Sequence, residues 1–266
     1  MVTEIRNIAR MTLFPVSRTI MNQVDGWVQG FAKHLPRARK VPHGKSFRWE
    51  HSERSAEAVQ VAKAVRATSG LTAALQLADA GHTVECATLL RVVADFSAEI
   101  IYLGEGLVEK RFTQDQKAFI AQHFTPMPTD PDELAARERE YYIGRKDIAR
   151  AHRRWLEKSG APADEFAKLE KFLSKGYDSY VHGANGAAME LYDARDGGFM
   201  LRGHLSPRFI CVSKVSVAGK VQEFLNSLRI MAITRQMVEL DRQIRARSEH
   251  LDSSGEDAGR PCQGLP

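Results

Sequence analysis

The sequence has 266 residues, 43% of them hydrophobic and 27% charged, which excludes a disordered or collagen-like chain and suffices for one large core or two small ones. Its three cysteines, Cys86, Cys211 and Cys262, are far apart and lack a Cys-x-x-Cys pair, which argues against a disulfide frame or zinc ribbon and fits a reducing compartment, by default the cytoplasm. The net charge of +5 is uneven: residues 1–54 hold ten of the 38 Lys/Arg but only four of the 33 Asp/Glu, so the rest is nearly neutral.

The opening MVTEIRNIARMTLFPV lacks the basic-then-apolar order of a signal peptide. No apolar run reaches the ~18 to 20 residues of a membrane-spanning helix, so a soluble chain without a transmembrane segment is expected. After Pro15, with Ser17 as a cap, Ile20, Met21, Val24, Trp27, Val28 and Phe31 recur at helical spacing. The polar face of this amphipathic helix is Asn/Gln-rich rather than Lys/Arg-rich, which favours docking on a bundle or a partner chain over lying on a membrane. From Ala32 to Arg48 come Lys33, Arg37, Arg39, Lys40, Lys45 and Arg48, with His34 and His43 and no acid. This stretch reads either as a solvated basic linker punctuated by Pro36, Pro42 and Gly44, or as a seat for phosphates or anionic lipid.

Residues Ser52 to Gly104 organise the chain, as two long helices folded back at Ala80-Gly81-His82. The first carries Ala58, Val61, Ala62, Val65, Leu71, Leu75 and Ala78 toward a core. The second opens at Thr83 as N-cap with Glu85 in its first turn, and Gly104 is expected to stop it. Cys86, Leu89, Leu90, Val93, Phe96, Ile100, Ile101 and Leu103 cover about half of its circumference, so this helix belongs at the centre. Its narrow opposite face holds Val84, Ala87, Arg91, Asp95, Ala98 and Tyr102, and the polar groups there must be paired or line a cleft.

Leu107 to Phe124 reads as a shorter helix. A long polar one follows from cap Asp130 through Pro131 to Lys158, with Arg145, Lys146, Arg150, His152, Arg153 and Arg154 on a solvated face with local ion pairs. A further helix starts at Pro162 and Asp164 and turns Phe166, Leu169, Leu173, Tyr177 and Tyr180 inward before Gly183. Met189–Tyr192 and Phe199–Leu201 then form a small hairpin through Asp196-Gly197-Gly198. A last helix runs from Ser213 or Ser216 to about His250, and residues 251–266 read as a disordered tail. The expected architecture is all-α: a multi-helix bundle with a central antiparallel helical hairpin and a small β-hairpin insert. Its parts are residues 1–48 (amphipathic helix and basic linker), 49–250 (bundle) and 251–266 (tail).

No phosphate-cradling glycine loop, Gly-x-Ser-x-Gly elbow or His-Glu-x-x-His occurs, and no cofactor or metal site is expected. The densest polar cluster is Ser174-Lys-Gly-Tyr-Asp-Ser-Tyr-Val-His-Gly183. On a helix, Lys175, Asp178, Ser179 and His182 share one face, so Asp178 can orient the imidazole of His182 as a general base, or His182 can cap the helix end. Arg91 and Asp95 form an i,i+4 pair that either braces the bundle or offers a phosphate-binding guanidinium to His182.

Arg91, Asp95 and Glu99 in one helix, with Tyr177, Tyr180, His182 and Gly183 in a later one, resemble bacterial helical-bundle domains of unknown function similar to HEPN domains. The resemblance covers about residues 52–204. It implies a four-to-five-helix module of the kind found in toxins and phage-defence systems. Many HEPN proteins are metal-independent RNases with Arg, four to six residues, then His; here Lys175 precedes His182 at that spacing, and Gly176 follows the lysine. The candidate residues are thus Arg91, Asp95, Lys175, Tyr177, Asp178 and His182. Two functions are expected: an interaction protein that forms a homodimer or docks a partner protein, and an RNA-binding or RNA-cleaving module.

Overall fold

The computed structural model describes residues 13–43, 46–125, 143–158, 168, 175, 177–182, 188–193 and 197–254. The elements are α1 (Pro15–Lys33), β1 (Ala38–His43), β2 (Ser46–His51), α2 (Ala56–Asp79), α3 (Thr83–Val108), α4 (Gln114–His123), α5 (Arg145–Lys158), β3 (Tyr192–Asp193), β4 (Gly198–Phe199), α6 (Pro207–Thr234) and α7 (Val238–Ser253). The expected all-α bundle with a small hairpin insert is what forms: β3 and β4 pair antiparallel, Tyr192 opposite Phe199.

The α2–α3 hairpin is the centre. Ser55 caps α2 by accepting from Ala58 N, and the chain reverses at Gly81, whose φ of +80° no branched residue adopts cheaply. A Cβ at Gly81 would lie 2.6 Å from His204 N, and that same nitrogen donates to Gly81 O at 3.0 Å. The turn is thereby pinned to a segment more than a hundred residues away. Thr83 is the first helical residue rather than the cap, a position held by His82 without a side-chain bond.

α3 does not stop at Gly104. It continues to Val108 because Gly104 and Gly106 serve close packing instead: a Cβ on Gly104 would fall deep inside contact distance of Ile230 Cγ2 on α6. The chain breaks later, at Lys110 with φ +51°, and α4 starts at Gln114 under a capping box between Thr113 and Gln116. The wide apolar face of α3 is inside, with Leu90, Val93, Ile100 and Leu103 essentially without exposure. On α2 the inward set includes Val59, Ala64, Ala67 and Ala74, while Val65 lies exposed at the groove beside α1.

α6 lies along both helices of the hairpin and α7 folds back on it. α6 begins earlier than expected, at Pro207, because Ser206 is the cap and accepts from Phe209 N at 3.1 Å. It also ends early. Gln236 takes φ +56°, and Arg235 turns inward to donate to Gln60 Oε1 at 3.0 Å and Glu57 O at 3.2 Å on α2. Burial lowers the Arg235 pKa to about 10.

α1 joins the main core, its Ile20, Val24 and Phe31 packed with residues of α2, α3, α6 and α7. Each such side chain contributes about 1.5–3 kcal/mol. Arg18 pairs with Asp79, whose carboxylate also accepts from Leu13 N. A second cluster, Val59, Tyr102, Leu103, Phe119, Ile143 and Ile148, fills the space under α4 and α5.

The basic stretch after α1 is not an extended linker but the antiparallel hairpin β1–β2, in register from Ala38 opposite His51 to His43 opposite Ser46. Cys86 is free and buried, its thiol pushed up to about 12 by desolvation. Cys211 is disulfide-bonded, which corrects the expectation drawn from cysteine spacing. No helix is long and apolar enough to cross a membrane among the described residues. The expectations for residues 126–142 (Asp130, Pro131), 159–167 (Pro162, Asp164, Phe166), Leu169, Leu173, Ser174, Gly176, Gly183 and the tail from residue 255 lie outside the described residues.

Candidate functional site

Arg91 and Asp95 stand one turn apart on α3, so their side chains meet, Nη1 to Oδ2 at 2.5 Å. Arg145, the first residue of α5, reaches the same aspartate through Nε at 3.0 Å. Asp178, in the helical segment over residues 177–181, accepts from Arg91 Nε at 2.8 Å and lies 3.7 Å from Arg145 Nη1. Two guanidiniums and two carboxylates therefore close a neutral ring that joins three separate stretches of chain.

The environment suits pairing. The Arg91 side chain is 10% exposed, whereas Asp95, Asp178 and Arg145 are 36%, 42% and 38% exposed. Burial by itself would disfavour the charged guanidinium, but hydrogen bonds and charge from Asp95 and Asp178 raise the Arg91 pKa above its ordinary value. Desolvation of Asp178 is outweighed by the Arg91 bond, the Arg91 and Arg145 charges and His182, so its carboxyl is held below its usual range.

The remaining candidates divide. His182 is exposed; its backbone N–H donates to Asp178 O at 3.0 Å, and its ring acts electrostatically on the Asp178 carboxyl. Arg91 thus bonds the Asp178 side chain, and His182 bonds its backbone one turn on. Lys175 is exposed. Tyr177 faces the other way, into the main core, where Lys220 Nζ lies 5.5 Å from its ring and burial raises its phenol pKa. Glu99 pairs with Lys63 of α2 at 2.6 Å, and Tyr180 donates to Glu190 at 2.9 Å. On α5, Arg150 and Arg153 pair with Asp147 and Glu157 of their own helix, as a solvated face does, whereas Arg145 turns into the ring.

The ring is balanced in charge, although the buried Arg91 Nη1 lacks a hydrogen bond of good geometry. Arg91 and Arg145 each face the same two carboxylates, so a phosphate approaching either has to compete with an aspartate already in place. Among the described residues no group of three or more His, Cys, Asp or Glu is placed to hold a metal.

A second feature lies on the basic stretch after α1. On β1–β2, Lys40 is opposite Trp49 and Pro42 opposite Phe47. This face is open, with Trp49 62% and Phe47 49% exposed. The rings meet edge to face at 6.0 Å, and Lys40 Nζ lies 4.4 Å from the Phe47 centroid and 5.5 Å from that of Trp49. The signal in the sequence was the alternation Phe47-Arg48-Trp49-Glu50 after Pro42-His43-Gly44-Lys45. No protein-family model, curated protein or solved structure matches the chain.

Proposed function

We propose that the chain is a HEPN-like helical interaction module that binds a partner without cleaving it, with the Arg91 ring bracing the bundle and the β1–β2 hairpin as the binding surface. The observation that supports this reading is the charge balance of the ring: Asp95 and Asp178 already neutralise the guanidinium that a phosphodiester would need. Arg145 is committed to the same carboxylates, and Lys175, at the RNase spacing, supplies an ammonium in place of a planar fork.

The rival reading, an RNA-cleaving toxin or phage-defence module, draws on one observation. His182 is exposed and follows Asp178 by one helical turn, the spacing at which an acid can orient a general base. Labelled RNA incubated with the full chain, with and without Mg²⁺, separates the two. The expected result is intact RNA with the wild type and with His182→Ala alike. Cleavage that disappears in His182→Ala overturns the binding-module reading.

A further inference from the structure

We propose that the open face of β1–β2 is a stacking platform for single-stranded nucleic acid. The proposal deepens the reading above and rests on it, since it names the partner of the same surface. Strand register decides which side chains share the face: Ala38, Lys40 and Pro42 from β1 with Phe47 and Trp49 from β2. The other face holds the Arg48–Glu50 ion pair, and Val41, Arg48 and Glu50 there are half-buried. The only acid of the hairpin is therefore spent on the face that is not open. The open one presents two adjacent aromatic rings and a cation over both, with exposed Arg37 just before the strand, while Arg39 lies opposite Glu50 on the other face.

An occupant of this surface must be anionic and must also offer flat apolar groups. A single-stranded nucleic acid meets both demands, because its backbone is a line of negative charge and each base has a free π-face. An acidic peptide supplies the charge without the rings. An anionic membrane also receives Trp and Phe beside cations, but burying these two rings at the acyl boundary would draw in the ammonium of Lys40, which lies over both of them. Two neighbouring rings without hydrogen-bonding groups aimed at base edges imply contact of low sequence preference.

Fluorescence anisotropy of labelled oligouridine and oligothymidine tests this with the full chain. The oligomers should exceed the roughly 4–16 nucleotides such surfaces cover. Trp49→Ala should weaken binding by about tenfold, a typical loss for one stacked base, and Phe47→Ala combined with it should weaken it further. Lys40→Gln should reduce the slope of log affinity against log salt by about one. Trp49 and Phe47 lie outside both cores, so the variants keep the wild-type melting temperature, which circular dichroism verifies. Failure of the wild type to bind either oligomer overturns the proposal, as does binding indifferent to Trp49→Ala. Preference for phosphatidylserine vesicles over the oligomers, lost in Trp49→Ala, overturns it in favour of a membrane. RNA fragments in the same mixtures would instead refute the non-cleaving reading, while the Trp49 comparison still judges the platform.

Discussion

Replacing Arg91 with Met keeps most of the aliphatic stem and removes the charge, so it isolates what the ring contributes from what the side chain fills. Loss of one partner from a fully buried ion pair costs about 3–5 kcal/mol, and loss of an exposed pair about 0.2–1. Arg91 is nearly enclosed, but Asp95 and Asp178 are each more than a third exposed, so solvent screens what is left behind. The expected loss lies between these limits, at about 1–3 kcal/mol. Each kcal/mol lowers the melting temperature by roughly 2–4 °C in a chain of this size. Urea denaturation measures the loss directly, and Asp178→Asn closes the cycle. Because Asp178 accepts from Arg91 Nε at 2.8 Å, Asp178→Asn should cost less beside Arg91→Met than alone, with a coupling of at least about 0.5 kcal/mol. Arg91→Met with an unchanged urea midpoint, or strictly additive losses, would refute the bracing role and return Arg91 to the list of free phosphate ligands.

Gly104→Ala should destabilise even though alanine is the better helix former by about 1 kcal/mol. The new methyl collides with Ile230 Cγ2, and such overpacking costs about 1–3 kcal/mol. Ile230→Ala in the same chain should recover part of that loss, and a thermal melt in which Gly104→Ala alone equals or exceeds the wild type would contradict the packing described. Acid should act through Asp178. Its carboxyl is depressed in the fold, so its contribution is complete above the unfolded value near 4 and is lost as pH falls through the folded one. Melting temperatures taken from neutral pH downward should therefore drop more steeply below about pH 4 for the wild type than for Asp178→Asn; parallel curves would show that the ring does not set the acid limb.

Helical periodicity made the central hairpin legible. The apolar residues of α3 outnumber those of a surface helix, and Gly81 between two such runs marks a reversal. The glycines at 104 and 106 were misleading because the residue that ends helices is also the one that lets two helices touch, and only the partner, Ile230, tells which applies. The break at Gln236 carries no Gly or Pro signal; it follows from Arg235 reaching across to α2, a contact spanning more than 170 positions. At the site, the Arg91–Asp95 pair could be read from its spacing. Arg145 and Asp178 could not be assigned to it, since each comes from a separate stretch of chain. The hairpin β1–β2 was hidden by its own composition: a run of cations with Pro and Gly suggests a solvated linker, and the alternation within it is only a few residues long.

The way α6 lies along α3 has a consequence for synthesis. α2 and α3 are joined by a three-residue turn and can pair as soon as both have left the ribosome, since contacts so local close quickly. Part of the cover for α3, whose Val93 already packs at Gly70 of α2, arrives with Val217, Val221, Phe224 and Leu228 of α6, more than a hundred residues later. At a bacterial or eukaryotic elongation rate of about 5–20 residues per second, that interval is on the order of ten seconds. Throughout it, the part of α3 that α6 will occupy stays exposed on the nascent chain, on a helix that is largely apolar.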